Sequence, residues 1–137
     1  MQIDPKGELI LFLRLSQAFK NRRQLQDRDR ALVIAGTCAG LLGMESIEKF
    51  CRTLIMQNNR GHMIRKWDSF SDALGDPDFE SFLRQVRRKL PEEKAIELLT
   101  EFDYRCGVRK QDCKTNEEFA AAVLGIELDW LRENFGE

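Results

Sequence analysis

The sequence predicts an all-α fold, a single compact multi-helical domain over residues 1–137 with about seven or eight helices around a buried Ala/Gly-rich central helix. Three observations predict it. Apolar residues recur at helical spacing in segment after segment, and no stretch alternates as a half-buried strand would. Residues 31–44, ALVIAGTCAGLLGM, carry no charge, and their polar side chains are only Thr37 and Cys38. On a helix, Ala31, Ala35 and Ala39 fall four apart, with Gly36, Gly40 and Gly43 on a neighbouring stripe. Small residues let another backbone approach closely, Leu32, Val33, Leu41 and Leu42 fill the other sides, and a helix apolar all round belongs at the centre.

The elements follow in order. Asp4 is placed to cap a first helix over residues 4–20, with Pro5 at its first position. Leu9, Phe12, Leu13, Ser16 and Phe19 make one face, and Ile10, Leu11 and Leu15 add apolar surface beyond it. That surplus reads either as a core helix covered on two sides or as a surface for self-association. Residues 20–30, KNRRQLQDRDR, carry a net +3 and read as a solvated connection between antiparallel helices. Gly43 ends the central helix and Ser46 caps the next, in which Ile47, Phe50, Cys51, Leu54 and Ile55 form an amphipathic stripe.

Residues 57–70, QNNRGHMIRKWDSF, hold the most unusual chemistry. Asn58, Asn59 and Gly61 mark a turn, followed by His62, the only histidine in the chain. Met63, Trp67, Phe70 and Leu74 are spaced to point inward from a helix start, with Arg65 and Lys66 toward water. The same residues have a second reading, since basic side chains beside an aromatic can hold a nucleic-acid backbone while stacking on a base. Asp76-Pro77 then opens a helix with a buried stripe of Phe79, Phe82, Leu83, Val86 and Leu90. Arg84, Arg87, Arg88 and Lys89 gather at its end, where cations complement the helix dipole. Pro91 breaks the chain before a helix that turns Ala95, Ile96, Leu99 and Phe102 inward and finishes at Cys106-Gly107. Thr115 and Glu118 are spaced as a capping box for a helix that stops at Gly125, and a last helix holds Leu128, Trp130, Leu131 and Phe135.

Composition bounds the function. Hydrophobic residues make 42% of the chain and charged residues 33%, ordinary for a soluble globular protein. The net charge of −1 gives no overall attraction to nucleic acid or an anionic membrane. Asp4 and Glu8 stand where a signal peptide would be basic, and LILFL is short for its apolar region, so the expectation is a cytoplasmic protein with reduced thiols. Residues 31–44 are too short to span a bilayer, which needs about 20 apolar residues, so no membrane partner is expected.

Catalysis and metal binding find little support. Cys106 and Cys113 lie seven apart, Cys38, Cys51 and His62 are scattered, and no CxxC or HExxH occurs, so neither metal nor cofactor is expected. Cys51 sits on an apolar stripe as a buried thiol, no cysteine has an activating neighbour in sequence, and no phosphate-cradling glycine loop is present. Ala121, Gly125, Ile126 and Leu131 have a rhythm that resembles the helix-turn-helix units of transcription regulators, over about nineteen residues. The helix that would enter the groove presents Glu127, Asp129 and Glu133 against Arg132, and residues 115–137 carry a net −5. Such a face repels phosphates, so the motif reads as a packing unit.

The leading expectation is a non-catalytic helical module that binds another protein or a second copy of itself. The alternative is a nucleic-acid-binding domain using the basic runs. The leading reading rests on the apolar face from Leu9 to Phe19 with its charged rims; the candidate binding surface, which the alternative uses, is Arg60, His62, Arg65, Lys66 and Trp67 with Arg87, Arg88 and Lys89.

Overall fold

The computed structural model describes residues 4–104 and 109–135. Among these residues there are eight α-helices, two short 3-10 turns and no strand. The central element is α2 (Leu25–Leu41), an antiparallel partner to α1 (Pro5–Asn21) across a turn of residues 22–24. Helix α1 begins as the sequence predicts, with the Asp4 carboxylate accepting the Lys6 N–H at 3.3 Å and Pro5 at the first position. Leu9, Phe12, Leu13, Leu15, Ser16 and Phe19 are all buried within the chain itself. Of the surplus apolar residues expected on this helix, Leu15 is buried, while Ile10 and Leu11 are partly buried and line an open depression.

Helix α2 starts at Leu25 and not at Ala31, so the run read as a solvated connection is largely helical. Two of its charges, Arg28 and Asp29, are buried. They tolerate burial because each is hydrogen-bonded: Arg28 Nη2 donates to Asp29 Oδ1 and to the Leu54 carbonyl, both at 3.2 Å, and Asn58 donates to Asp29 Oδ2 at 2.7 Å. Local spacing could not show this, because Leu54 and Asn58 lie on the next helix. The apolar run Ala31–Ala35, with Cys38 and Ala39, is fully enclosed. Leu41, expected inside, is exposed at the helix end.

The small residues of α2 do admit a close neighbour, although it is a corner of chain and not a long helix. A Cβ built on Gly36 would overlap the edge of the Phe70 ring, and one on Gly40 would meet Ser71 Oγ at 3.3 Å. That corner belongs to α4 (Phe70–Ala73), a single turn capped by Ser69. It is held from α3 (Glu45–Asn58), where buried Glu48 accepts from the Ser71 N–H and from its hydroxyl at 2.8 Å. Gly43, at φ +72°, makes the turn into α3. Met44 occupies the cap position, so Ser46 is not the cap but lies buried in the first turn.

Between α3 and α4 the expected helix start is a 3-10 turn, Met63–Lys66, because His62 and Ser69 each cap a separate short element. In that geometry Ile64 points inward and Met63 outward, reversing the expectation for Met63. Trp67 and Phe70 are inward and Arg65 and Lys66 exposed, as predicted. Helix α5 (Pro77–Lys89) buries Phe79 and Val86, with Leu90 just past its end, and its cap Asp76 also accepts the Trp67 indole N–H at 2.8 Å. That bond, with the Asp78 N–H, holds the Asp76 carboxyl below its ordinary range.

Helix α6 (Glu92–Glu101) packs on α1 and ends at Glu101; the predicted finish at Cys106-Gly107 lies outside the described residues. Ala95 is buried, but Ile96 is 51% exposed and the half-buried Leu98 takes the inward place assigned to it. Helix α7 (Asn116–Val123) starts at the predicted cap, where Thr115 Oγ1 accepts the Glu118 N–H at 3.0 Å. After Gly125, at φ +77°, α8 (Leu128–Phe135) returns against α7 and α3. Ala121 and Leu131 are fully buried, so α7 and α8 pack through these positions. Among the described residues no helix is long and apolar enough to cross a membrane.

Candidate functional site

The first half of α2, the end of α3, His62 and the outer side of α5 enclose an open groove of about 780 Å³. Its position follows from the early start of α2. Gln26 and Arg30 are four apart on one helical row, as are Asp29 and Val33, and both rows line the groove. Val33, Phe82 and Val86 supply an apolar floor, Gln26, Asn58, Asn59 and Gln85 supply amides, and Arg23, Arg30 and Lys89 supply cations.

The charges divide into balanced and unbalanced groups. Asp29 lies at the base, balanced by Arg28 and the Asn58 amide. Arg30 pairs with Asp27 at 2.7 Å. Arg23 and Lys89 make no ion pair with any described residue, so the groove keeps an excess of positive charge. Arg23 sits in the left-handed region at φ +60°, a conformation that costs an arginine about 1–2 kcal/mol.

His62 is half-buried, its Nδ1 accepting the Ile64 N–H at 3.2 Å and its ring meeting Phe82 edge-to-face at 5.8 Å. Burial pushes its pKa below the ordinary 6.5, with the Asp29 charge opposing, so the ring is neutral near pH 7. It serves the groove as a neutral polar wall.

The structure separates the other candidate residues. Of those named from the sequence, His62 and Lys89 line the groove. Arg60, Arg65, Lys66 and Arg88 are exposed outside its lining. Trp67 is buried, stacked edge-to-face on Phe79 at 5.1 Å, and offers no face to a base. Arg87 turns inward to Glu8, donating from both terminal nitrogens at 2.8 Å. Glu8, 5% exposed, also accepts from the Cys38 thiol at 3.1 Å. Sequence reasoning missed Arg23, Arg30, Asp29, Asn58 and Asn59 as a group; extending the central helix back to Leu25 would have revealed part of it.

The thiols of the described residues are poor nucleophiles. Burial, reinforced by the Glu8 charge, pushes the Cys38 thiol far above its ordinary range. Burial and the Glu48 charge push Cys51 up to about 12. Cys113 is half-exposed and also shifted up, by burial first and then by Glu118 and Asp112. Among the described residues no group of three or more His, Cys, Asp or Glu side chains could hold a metal ion. Cys106, the other member of the seven-apart pair, lies outside the described residues.

Compared with family models, curated proteins and solved structures, the chain matches none.

Proposed function

We propose that this chain is a non-catalytic helical interaction module that takes an acidic protein segment in the α2–α3–α5 groove. The observation that carries the reading is the pair of unbalanced cations, Arg23 and Lys89, beside an apolar floor and a row of amides. A segment bearing carboxylates and one or two apolar side chains satisfies all three features, with charge setting its orientation and the floor supplying affinity. The high thiol pKa values and the use of His62 Nδ1 as an acceptor support a binding role over catalysis.

The nucleic-acid alternative has weaker support. It relied on Trp67 as a stacking platform and on Arg87 as a phosphate contact, and both side chains are engaged inside the protein. Of its remaining cations, Lys89 lines a groove whose base contains Asp29, and Arg60, Arg65, Lys66 and Arg88 lie outside that lining.

The test is an amide-resonance titration of the labelled chain with an acidic, Trp-containing helical peptide, its Lys-substituted counterpart and a short DNA duplex. The acidic peptide is expected to move resonances of Gln26, Asn58, Asn59 and His62, and Arg23→Glu with Lys89→Glu to suppress the movement. Equal responses to DNA, or none to the acidic peptide, would sink the reading.

A further inference from the structure

We infer that the occupant of the groove is α8 of a second copy of this chain, an inference that rests on the groove being a docking site for an acidic segment. Helix α8 exposes Asp129, Trp130 and Glu133, while its basic residue, Arg132, is tied to Glu117 at 2.6 Å. Asp129 and Glu133 are one turn apart and share a face, and Trp130 flanks them.

Trp130 is 46% exposed, the largest side chain left open to solvent on the described surface. It is already positioned, its ring lying 6.5 Å from Phe50 and 6.0 Å from Phe135, so little rotamer freedom is lost when a partner covers it. A pre-positioned tryptophan beside a pair of carboxylates is the complement of an apolar floor beside Arg23 and Lys89.

The pairing must occur between copies. No residue of α7 or α8 lines the groove, and Leu131, fully buried, fixes α8 to its own bundle. Each copy therefore offers both a groove and an acidic helix. Reciprocal engagement closes as a two-fold pair, and one-way engagement builds a head-to-tail chain. The overall charge of −1 sets up no repulsion between copies.

The experiment is sedimentation equilibrium of the full chain, run beside the peptide titration, with circular dichroism confirming that each variant is folded. The wild type is expected to associate with concentration. Two variants, Arg23→Glu/Lys89→Glu and Asp129→Lys/Glu133→Lys, should each weaken association at least about tenfold. Mixed together, they should associate again, because an acidic groove now meets a basic helix and the converse pairing also holds. Lys110→Glu, at a different cationic depression, should leave the wild-type behaviour unchanged.

A wild type that stays monomeric at about 1 mM overturns the inference. If the acidic peptide still binds in that case, the docking reading stands and the occupant is another protein; if it does not, both fail. Association that ignores both variants, responds to Lys110→Glu instead or is not restored by mixing places the contact on another face and also overturns it.

Discussion

At the scale of single residues, side chains far apart in the chain decide which atoms are free to act. Gly36 is present because the Phe70 ring occupies the space of its missing Cβ. Gly36→Ala is therefore expected to cost about 1–3 kcal/mol in urea unfolding, since overpacking forces neighbours off their rotamers. Adding Phe70→Leu should recover part of that loss, whereas Gly7→Ala, with nothing near its Cβ position, should not destabilise in this way. His62 gives a pH signature. Burial lowers its pKa in the folded protein below 6.5, so the unfolded chain takes up the proton more readily. The stability it contributes is complete above pH 6.5 and is lost as pH falls through the lower folded value. Urea midpoints of wild type and His62→Gln, compared between about pH 7.5 and pH 5, should converge as pH falls. A constant gap would show that the ring is not held neutral by burial.

At the scale of elements, short structures punctuate the bundle and place the groove. The α1–α2 turn holds Arg23 in a left-handed conformation where glycine is the relaxed choice. Arg23→Gly is expected to raise stability by about 0.5–1 kcal/mol while weakening acidic-peptide binding. Thermal unfolding and the peptide titration measure the two effects on one variant. A variant both less stable and fully able to bind would mean that Arg23 neither strains the turn nor serves the groove. The 62–71 corner shows the same principle in its packing. His62 starts the 3-10 turn and Ser69 starts α4, so the apolar residues follow the tighter 3-10 register and Ile64, not Met63, enters the core.

At the scale of the whole molecule, α2 touches α1, α3, α4 and α5, and α3 in turn carries α8. Helices that share a common core unfold together. Trp67 reports the α4–α5 corner and Trp130 the α8 surface, so their separate fluorescence transitions in urea, read in Trp130→Phe and Trp67→Phe variants, should each coincide with loss of helical circular dichroism. An earlier Trp130 transition would show α8 to be a separately melting unit. The charge of the molecule is also divided at this scale. Unbalanced cations lie on the α2–α5 side and exposed carboxylates on α8, although the total is close to neutral at −1.

The sequence by itself determined the helical class, much of the apolar faces and the starts of α1, α5, α6 and α7. Those depend on periodicity and on nearby capping residues such as Asp4, Asp76 and Thr115, which act within a turn of their own position. The buried place of Trp67 and the acidic face of α8 were legible for the same reason. The tertiary structure alone decided which charges are buried, which are paired and which remain available. Glu8 meets Arg87 across 79 positions and Asn58 meets Asp29 across 29, and no local spacing encodes either distance. The groove was hidden for this reason: its unbalanced cations become distinguishable from a solvated run only once long-range partners have claimed the others.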